Sequence, residues 1–179
     1  LEFAQDLARR AGVLIATERE GQTLDLSYKD GNELLTSADL QADELIRGEI
    51  EKAFPEHSIL SEESSPDLSD PEALNGPLWI VDPIDGSFNF YRGVPLVAIS
   101  IGLWKGNEPL LGLICDFQKD ELFLGAVGYG AWLNNRPISV SNIDQREESI
   151  LATGVPVGAA GDPDYATRLS EKILTFRKI

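Results

Sequence analysis

Methionine is absent from the 179 residues, cysteine and histidine occur once each, and 15 basic residues face 30 acidic ones. Each shortage closes off a class of chemistry. With Cys115 alone, no intrachain disulfide can form, and a reducing compartment, the cytoplasm, is the expectation. With His57 as its only companion, a Cys/His zinc set cannot be assembled. Cys115 lies within an apolar run and is expected in the core, and His57 is expected at the surface or as a cap. A formal charge of -15 repels the phosphate backbone of nucleic acid and anionic lipid, so polymer and membrane partners are not expected. The apolar runs are strand-length and broken by charge or glycine. The first residues lack a basic-then-apolar pattern, so neither a membrane span nor an export signal is read. The missing methionine and an end at LTFRKI, in mid-element, predict the N-terminal part of a longer protein.

What is present is enough for a core, since 42% of the residues are hydrophobic. Phe3, Leu7, Ala11, Leu14 and Ile15 recur at spacings of three and four, which predicts an amphipathic helix to about Glu20. LDLSYKDGNELL alternates around a Lys-Asp-Gly-Asn turn and reads as a hairpin or a flap. Thr36 or Ser37 can cap a second helix with an inner stripe of Ala42, Leu45, Ile46, Ile50 and Ala53, ending before Pro55 and placing Asp39 in its first turn. HSIL reads as a short strand, SPDLSDPEALNGP as a surface loop and PLWIV as a buried strand. From Leu96 onward LVAISIGLW, LLGLICDF and ELFLGAVG form an antiparallel meander. GYGAWLNNRPISVS adds a hairpin at Asn134 and Asn135, and SILATGV opens a further unit.

Chemistry concentrates in two acidic stretches. DPIDG follows a buried strand, so Asp82 and Asp85 are expected at a strand's carboxyl end, where open α/β folds often place ligand groups. Pro83 stiffens the segment, and Gly86 can take a positive φ and admit a ligand to the backbone. Asp, Pro and Gly are also turn formers individually, so the stretch on its own reads first as a turn, and the second acidic pair changes that weighting. SEES, with Glu62 and Glu63, follows another short strand. It is a solvated loop unless that strand neighbours the first. Together the two stretches make an oxygen-rich set suited to Mg²⁺. A nucleophilic D-x-D-G-T aspartate is excluded by the two residues separating Asp82 from Asp85. An EF-hand is excluded by the lack of alternating acids and a closing Glu.

TSADLQADELI, SEES, WIVDPIDGSFNF and GYGAWLNNRPISVS, in this order, resemble the inositol monophosphatase family of the lithium-sensitive, magnesium-dependent phosphatases. The resemblance implies an α/β (α+β) layered sandwich, with helices packed on a mainly antiparallel sheet. It implies that Glu62, Asp82 and the Ile84 carbonyl hold one Mg²⁺ and that Asp82 bridges to another held by Asp85, two or three ions in all. Gly86 and Ser87 would offer backbone N–H groups to the phosphate, and Glu62, Asp39 and the Ser87 hydroxyl would serve the attacking water as catalytic groups. Residues 1–148 would form the metal- and phosphate-binding domain, and 149–179 the start of a truncated C-terminal α/β domain. A small phosphorylated substrate, inositol monophosphate first, and a homodimer are implied. Relatives acting on fructose-1,6-bisphosphate, nucleotide 3'-phosphates or histidinol phosphate share these motifs. The family's W-D-x-A aspartate is missing, because none of Trp79, Trp104 and Trp132 precedes an Asp. An inactive metal-binding or interaction module is therefore the alternative of another class.

Overall fold

The computed structural model describes residues 1–20, 26–29, 33–64, 76–153, 162–174 and 176. The Asp30–Asn32 part of the hairpin turn, nearly all of the SPDLSDPEALNGP loop, the end of SILATGV and most of LTFRKI lie outside them. Two compact units are present, Leu1–Ile138 and Ser139–Ile179.

In the first unit, helix α1 (Glu2–Glu20) buries Ala4, Leu7, Ala8, Ala11 and Ile15, a stripe at spacings of three and four. Strands β1 (Leu26–Lys29) and β2 (Glu33–Thr36) pair antiparallel, as the alternation predicts. Thr36 ends β2 and caps helix α2 (Ser37–Ala53). Its backbone is extended and its hydroxyl accepts from the Asp39 N–H, while the Asp39 carboxylate reaches back to the Thr36 N–H, a reciprocal capping box. Ala42, Ile46 and Ile50 are buried as expected, but Ala53, assigned to the stripe, is exposed in the last turn.

Both helices pack on one face of a seven-stranded sheet. Its strands are β3 (Ser58–Ser61), β4 (Pro77–Asp85), β5 (Ala98–Lys105), β6 (Glu108–Asp116), β7 (Glu121–Ala126), β8 (Gly130–Leu133) and β9 (Arg136–Ile138), in that spatial order. Only β3 and β4 run parallel; every other pairing is antiparallel. The layered α/β architecture with a mainly antiparallel sheet is thus observed. Asn134 and Asn135 both take positive φ, 46° and 67°, which gives the β8–β9 hairpin a twist that matches its strands.

Period-two alternation sends Trp79, Val81, Ile99, Ile101, Leu113, Cys115, Leu122 and Leu124 to the helix-covered face. Cys115 is core, as expected. On the opposite face a lateral row of Ile80, Gly102, Gly112, Gly125, Ala131 and Ile138 crosses the strands. The missing side chains leave a shallow apolar groove there.

His57 is neither a surface residue nor a cap. It stacks on Phe54 at 4.9 Å, and its Nδ1 accepts from the Trp79 indole N–H at 3.0 Å. Phe3 meets Phe54 edge-on at 5.0 Å, so this cluster joins α1, the exit of α2 and β4.

In the second unit a 3₁₀ turn (Arg146–Glu148) precedes helix α4 (Tyr165–Ile173). The expected strand is not formed over Ser149–Thr153, where Ile150 makes an isolated bridge. A strand needs a run of paired residues, and a single bridge does not supply one. Among the described residues no helix is long and apolar enough to cross a membrane.

Close packing of α1 on the sheet makes Gly12 a test of the fold. A Cβ at this position would lie 2.7 Å from the Phe117 Cβ. Although alanine favours a helix interior by about 1 kcal/mol over glycine, the overlap costs about 1–3 kcal/mol. Gly12→Ala is therefore expected to lower the urea midpoint, and Gly48→Ala, with open space around it, to leave it equal or higher.

Candidate metal and phosphate site

DPID is not a turn following a strand; it is the end of β4 itself. Asp82 lies opposite Ser100, and Asp85 opposite Ala98, so three steps along β4 match two along β5. The extra residue is a β-bulge, which tolerates Pro83 and its missing N–H inside a sheet. It also has a chemical consequence. Residues three apart on a regular strand face opposite sides, but the bulge resets the alternation and puts Asp82 and Asp85 on the same side. Gly86 then turns the chain into helix α3 (Ser87–Arg92) with φ 95°, and a Cβ there would come within 2.8 Å of the Leu96 carbonyl oxygen. Only glycine meets both conditions.

The parallel pairing supplies the next carboxyl. Ser61 registers with Val81, and the Glu62 N–H donates to the Val81 carbonyl at 3.1 Å. Glu62 is thereby set beside Asp82. The two carboxyls are close enough to hydrogen-bond, and burial, the negative charges of Glu62 and Asp85, and that hydrogen bond together push the Asp82 carboxyl up to about 7. A backbone hydrogen bond from Ile84 opposes the rise.

Helix α2 provides the other wall. Asp39 is fully buried, and its Oδ2 accepts from the Thr36 N–H at 2.8 Å and the Thr36 hydroxyl at 2.5 Å. Its Oδ1 accepts from the Ser87 hydroxyl at 2.6 Å. The Ile84 carbonyl lies 3.0 Å from the same hydroxyl. Ser87 has one proton, and the short charge-assisted contact to Asp39 is the stronger claim on it. The Ser87 oxygen is left to accept from a further group.

Glu62, Asp82, Ile84, Asp85, Gly86, Ser87 and Asp39 therefore stand along three adjoining segments: the end of β3, the end of β4 with the start of α3, and the start of α2. Two carboxyls this close need a shared proton or a cation between them. The Asp82 Oδ1 atom is buried and has no hydrogen-bond partner among the described residues, as an oxygen kept for a cation would be. Among the described residues, no three His, Cys, Asp or Glu side chains close into a metal cage. The Glu62 and Asp82 carboxyls offer oxygen donors alone, a donor chemistry that suits a hard cation completing its shell with main-chain oxygens and water.

One residue escaped the sequence reading. Asp43 is buried on α2, one turn after Asp39, with hydrogen bonds to Ser61 and Ser64 on either side of the Glu62–Glu63 pair. Asp39, Asp43, Ile46 and Ile50 follow one helical stripe, and an acid on an apolar stripe was the available signal.

The raised Asp82 value predicts a pH dependence of the metal-free protein. Folded, this carboxyl keeps to about pH 7 a proton that the unfolded chain releases near 3.8. Stability from this group is full below that lower value, falls as pH rises through the window and levels off above about 7. Asp82→Asn removes the loss, so the variant's urea stability relative to the parent should grow from pH 4 to pH 7. Solvent screening of the half-exposed side chain limits the gain to about 1–2 kcal/mol.

Comparison with known proteins sets this geometry in context. The description of the inositol monophosphatase family matches residues 1–177. Inositol monophosphatase 1 of Solanum lycopersicum is 40% identical over 157 residues, covering 87% of this chain and 56% of that protein. The crystal structure of the extragenic suppressor protein suhB from Bartonella henselae superposes with a TM-score of 0.85 at 31% identity, over 99% of this chain and 68% of that one. Inositol monophosphatase II of Staphylococcus aureus, solved with inositol monophosphate bound, superposes with a TM-score of 0.79 at 28% identity, over 99% of this chain and 63% of that one. The same staphylococcal protein has been solved with 2'AMP bound. The chain thus spans little more than half the length of the Solanum protein. A match along almost the whole chain, on a fold that brings SEES and DPIDGS together, means that the chain belongs to the inositol monophosphatase family.

Proposed function

We propose that the protein takes part in Mg²⁺-dependent hydrolysis of a small phosphate monoester, with inositol monophosphate the first substrate to test. The observation that carries this reading is the Glu62–Asp82 carboxyl pair, with its partnerless Asp82 Oδ1 and with Asp85 turned to the same side by the bulge. Glu62, Asp82 and the Ile84 carbonyl would hold one ion, and Asp82 and Asp85 would share a second. Mg²⁺ bound there would neutralise the ester's charge and lower the pKa of water.

The chain's own residues would do the orienting. With its proton given to Asp39, the Ser87 oxygen can only accept, so a water beside it donates one O–H to Ser87 and directs its lone pair elsewhere. Glu62 offers the second acceptor. Asp39 is held by the Thr36 cap, so this arrangement is set before substrate arrives. Gly86 and Ser87 would present backbone N–H groups to the phosphate at the closest approach of the main chain. The inositol monophosphate and 2'AMP complexes of the staphylococcal relative support a phosphate monoester as the substrate class.

The test is turnover with Mg²⁺ on inositol monophosphate, fructose-1,6-bisphosphate, a nucleoside 3',5'-bisphosphate and histidinol phosphate. Asp82→Asn is expected to lose on the order of 10³-fold in kcat/KM with an unchanged circular dichroism spectrum. Ser87→Ala should lose about 10²-fold and Ser87→Thr, which keeps the hydroxyl, far less. Near-parental turnover in Asp82→Asn would sink the metal assignment.

A further inference from the structure

We propose that Asp43 is a positioning residue that sets the Glu62 carboxylate for cation binding by clamping both sides of the SEES segment to helix α2; this rests on the metal reading above. Asp43 is 4% exposed, and a buried acid is tolerated only when it is charge-paired and hydrogen-bonded. Its two hydroxyl partners flank the Glu62–Glu63 pair. Oδ1 accepts from the Ser61 hydroxyl at 2.5 Å, and Oδ2 from the Ser64 hydroxyl at 2.8 Å. Arg47, one turn on, places its guanidinium 3.4 Å from Oδ2 and 3.4 Å from Glu51. The arginine supplies the compensating charge from the half-exposed side, which leaves the inner lone pairs of Asp43 to the two serines.

The arrangement is specific to Glu62. Ser61, the last residue of β3, is fully buried, and the next N–H, that of Glu62, is bonded to Val81 of β4. Beyond the Glu62 N–H the chain leaves the sheet. Ser64 ties it down again on the far side. A four-residue span held at both ends by one carboxylate, and at its middle by β4, has little freedom to swing Glu62 away from Asp82. The repulsion between those two carboxylates favours such a swing whenever no proton or cation lies between them. Helix α2 thus carries two acids one turn apart with parallel duties: Asp39 fixes Ser87 on DPIDGS, and Asp43 fixes SEES.

The probe is Mn²⁺ alone, with free ion measured by electron paramagnetic resonance, on the parent, Asp43→Asn, Ser61→Ala, Ser64→Ala, Ser64→Thr and Asp82→Asn. The two serines donate to different oxygens of Asp43, and asparagine puts an NH₂ group, a donor, in place of one of them. Asp43→Asn and Ser61→Ala are expected to raise the dissociation constant about 10-fold, the lower end of what supporting partners of metal ligands contribute. Ser64→Ala should weaken binding and Ser64→Thr restore it. Amide hydrogen exchange should quicken in residues 61–64 and stay parental in β4 and β5. Ser64 is only half-buried, so its pair of variants carries the test if the buried substitutions fail to fold. Parental Mn²⁺ affinity in every folded clamp variant, with binding lost in Asp82→Asn, overturns the clamp and leaves the metal reading standing. Equal Mn²⁺ binding by the parent and Asp82→Asn overturns both.

Discussion

The repulsion between Glu62 and Asp82 is the constraint on which the site is organised. Burial of Asp82 first, and then the like charges of Glu62 and Asp85, raise its carboxyl to about 7, and a proton or a cation joining the pair relieves the conflict. A fold that maintains such a pair must hold both partners rigidly. Asp82 is held by the β4 ladder and the bulge containing Pro83, and Glu62 by the Val81 carbonyl.

Helix α2 turns those separate restraints into one framework. Its capping box would satisfy the helix end in any protein, but here the N3 residue is Asp39, whose second oxygen takes the Ser87 proton. A local helix-start device thus also fixes the start of α3. The buried stripe of the same helix packs against β4, so the carboxylates of α2 and the ends of β3 and β4 share one rigid support. Preorganisation of this kind is where a hydrolytic site gains most, because groups aimed before the substrate binds need not be reorganised during the reaction.

Much of this was legible in the sequence. The stripes of α1 and α2, the meander from β5 to β7, the β8–β9 hairpin, the core position of Cys115 and the Thr36 cap all follow from periodicity or from local turn chemistry, which neighbours in sequence control. The misreadings share a different cause. Ala53 lies on the right helical stripe but in the last turn of α2, where its side chain is exposed. His57 looked like a surface residue because its partners, Phe54 and Trp79, are brought together by the parallel β3–β4 pairing. DPID looked like a turn because its composition suits one, yet its main chain pairs with β5.

The sequence by itself determined the inventory: an acidic chain with one thiol, two acidic motifs at strand ends and a capped helix between its hairpin and its sheet. Only the tertiary structure decided which oxygens meet. The contacts that build the site span 48 residues from Ser87 to Asp39, and 18 and 21 from Ser61 and Ser64 to Asp43. No local periodicity encodes them. They depend on strand register, where one inserted residue reverses the face of every later side chain, and on which buried acceptor lies opposite each hydroxyl once the helix has docked.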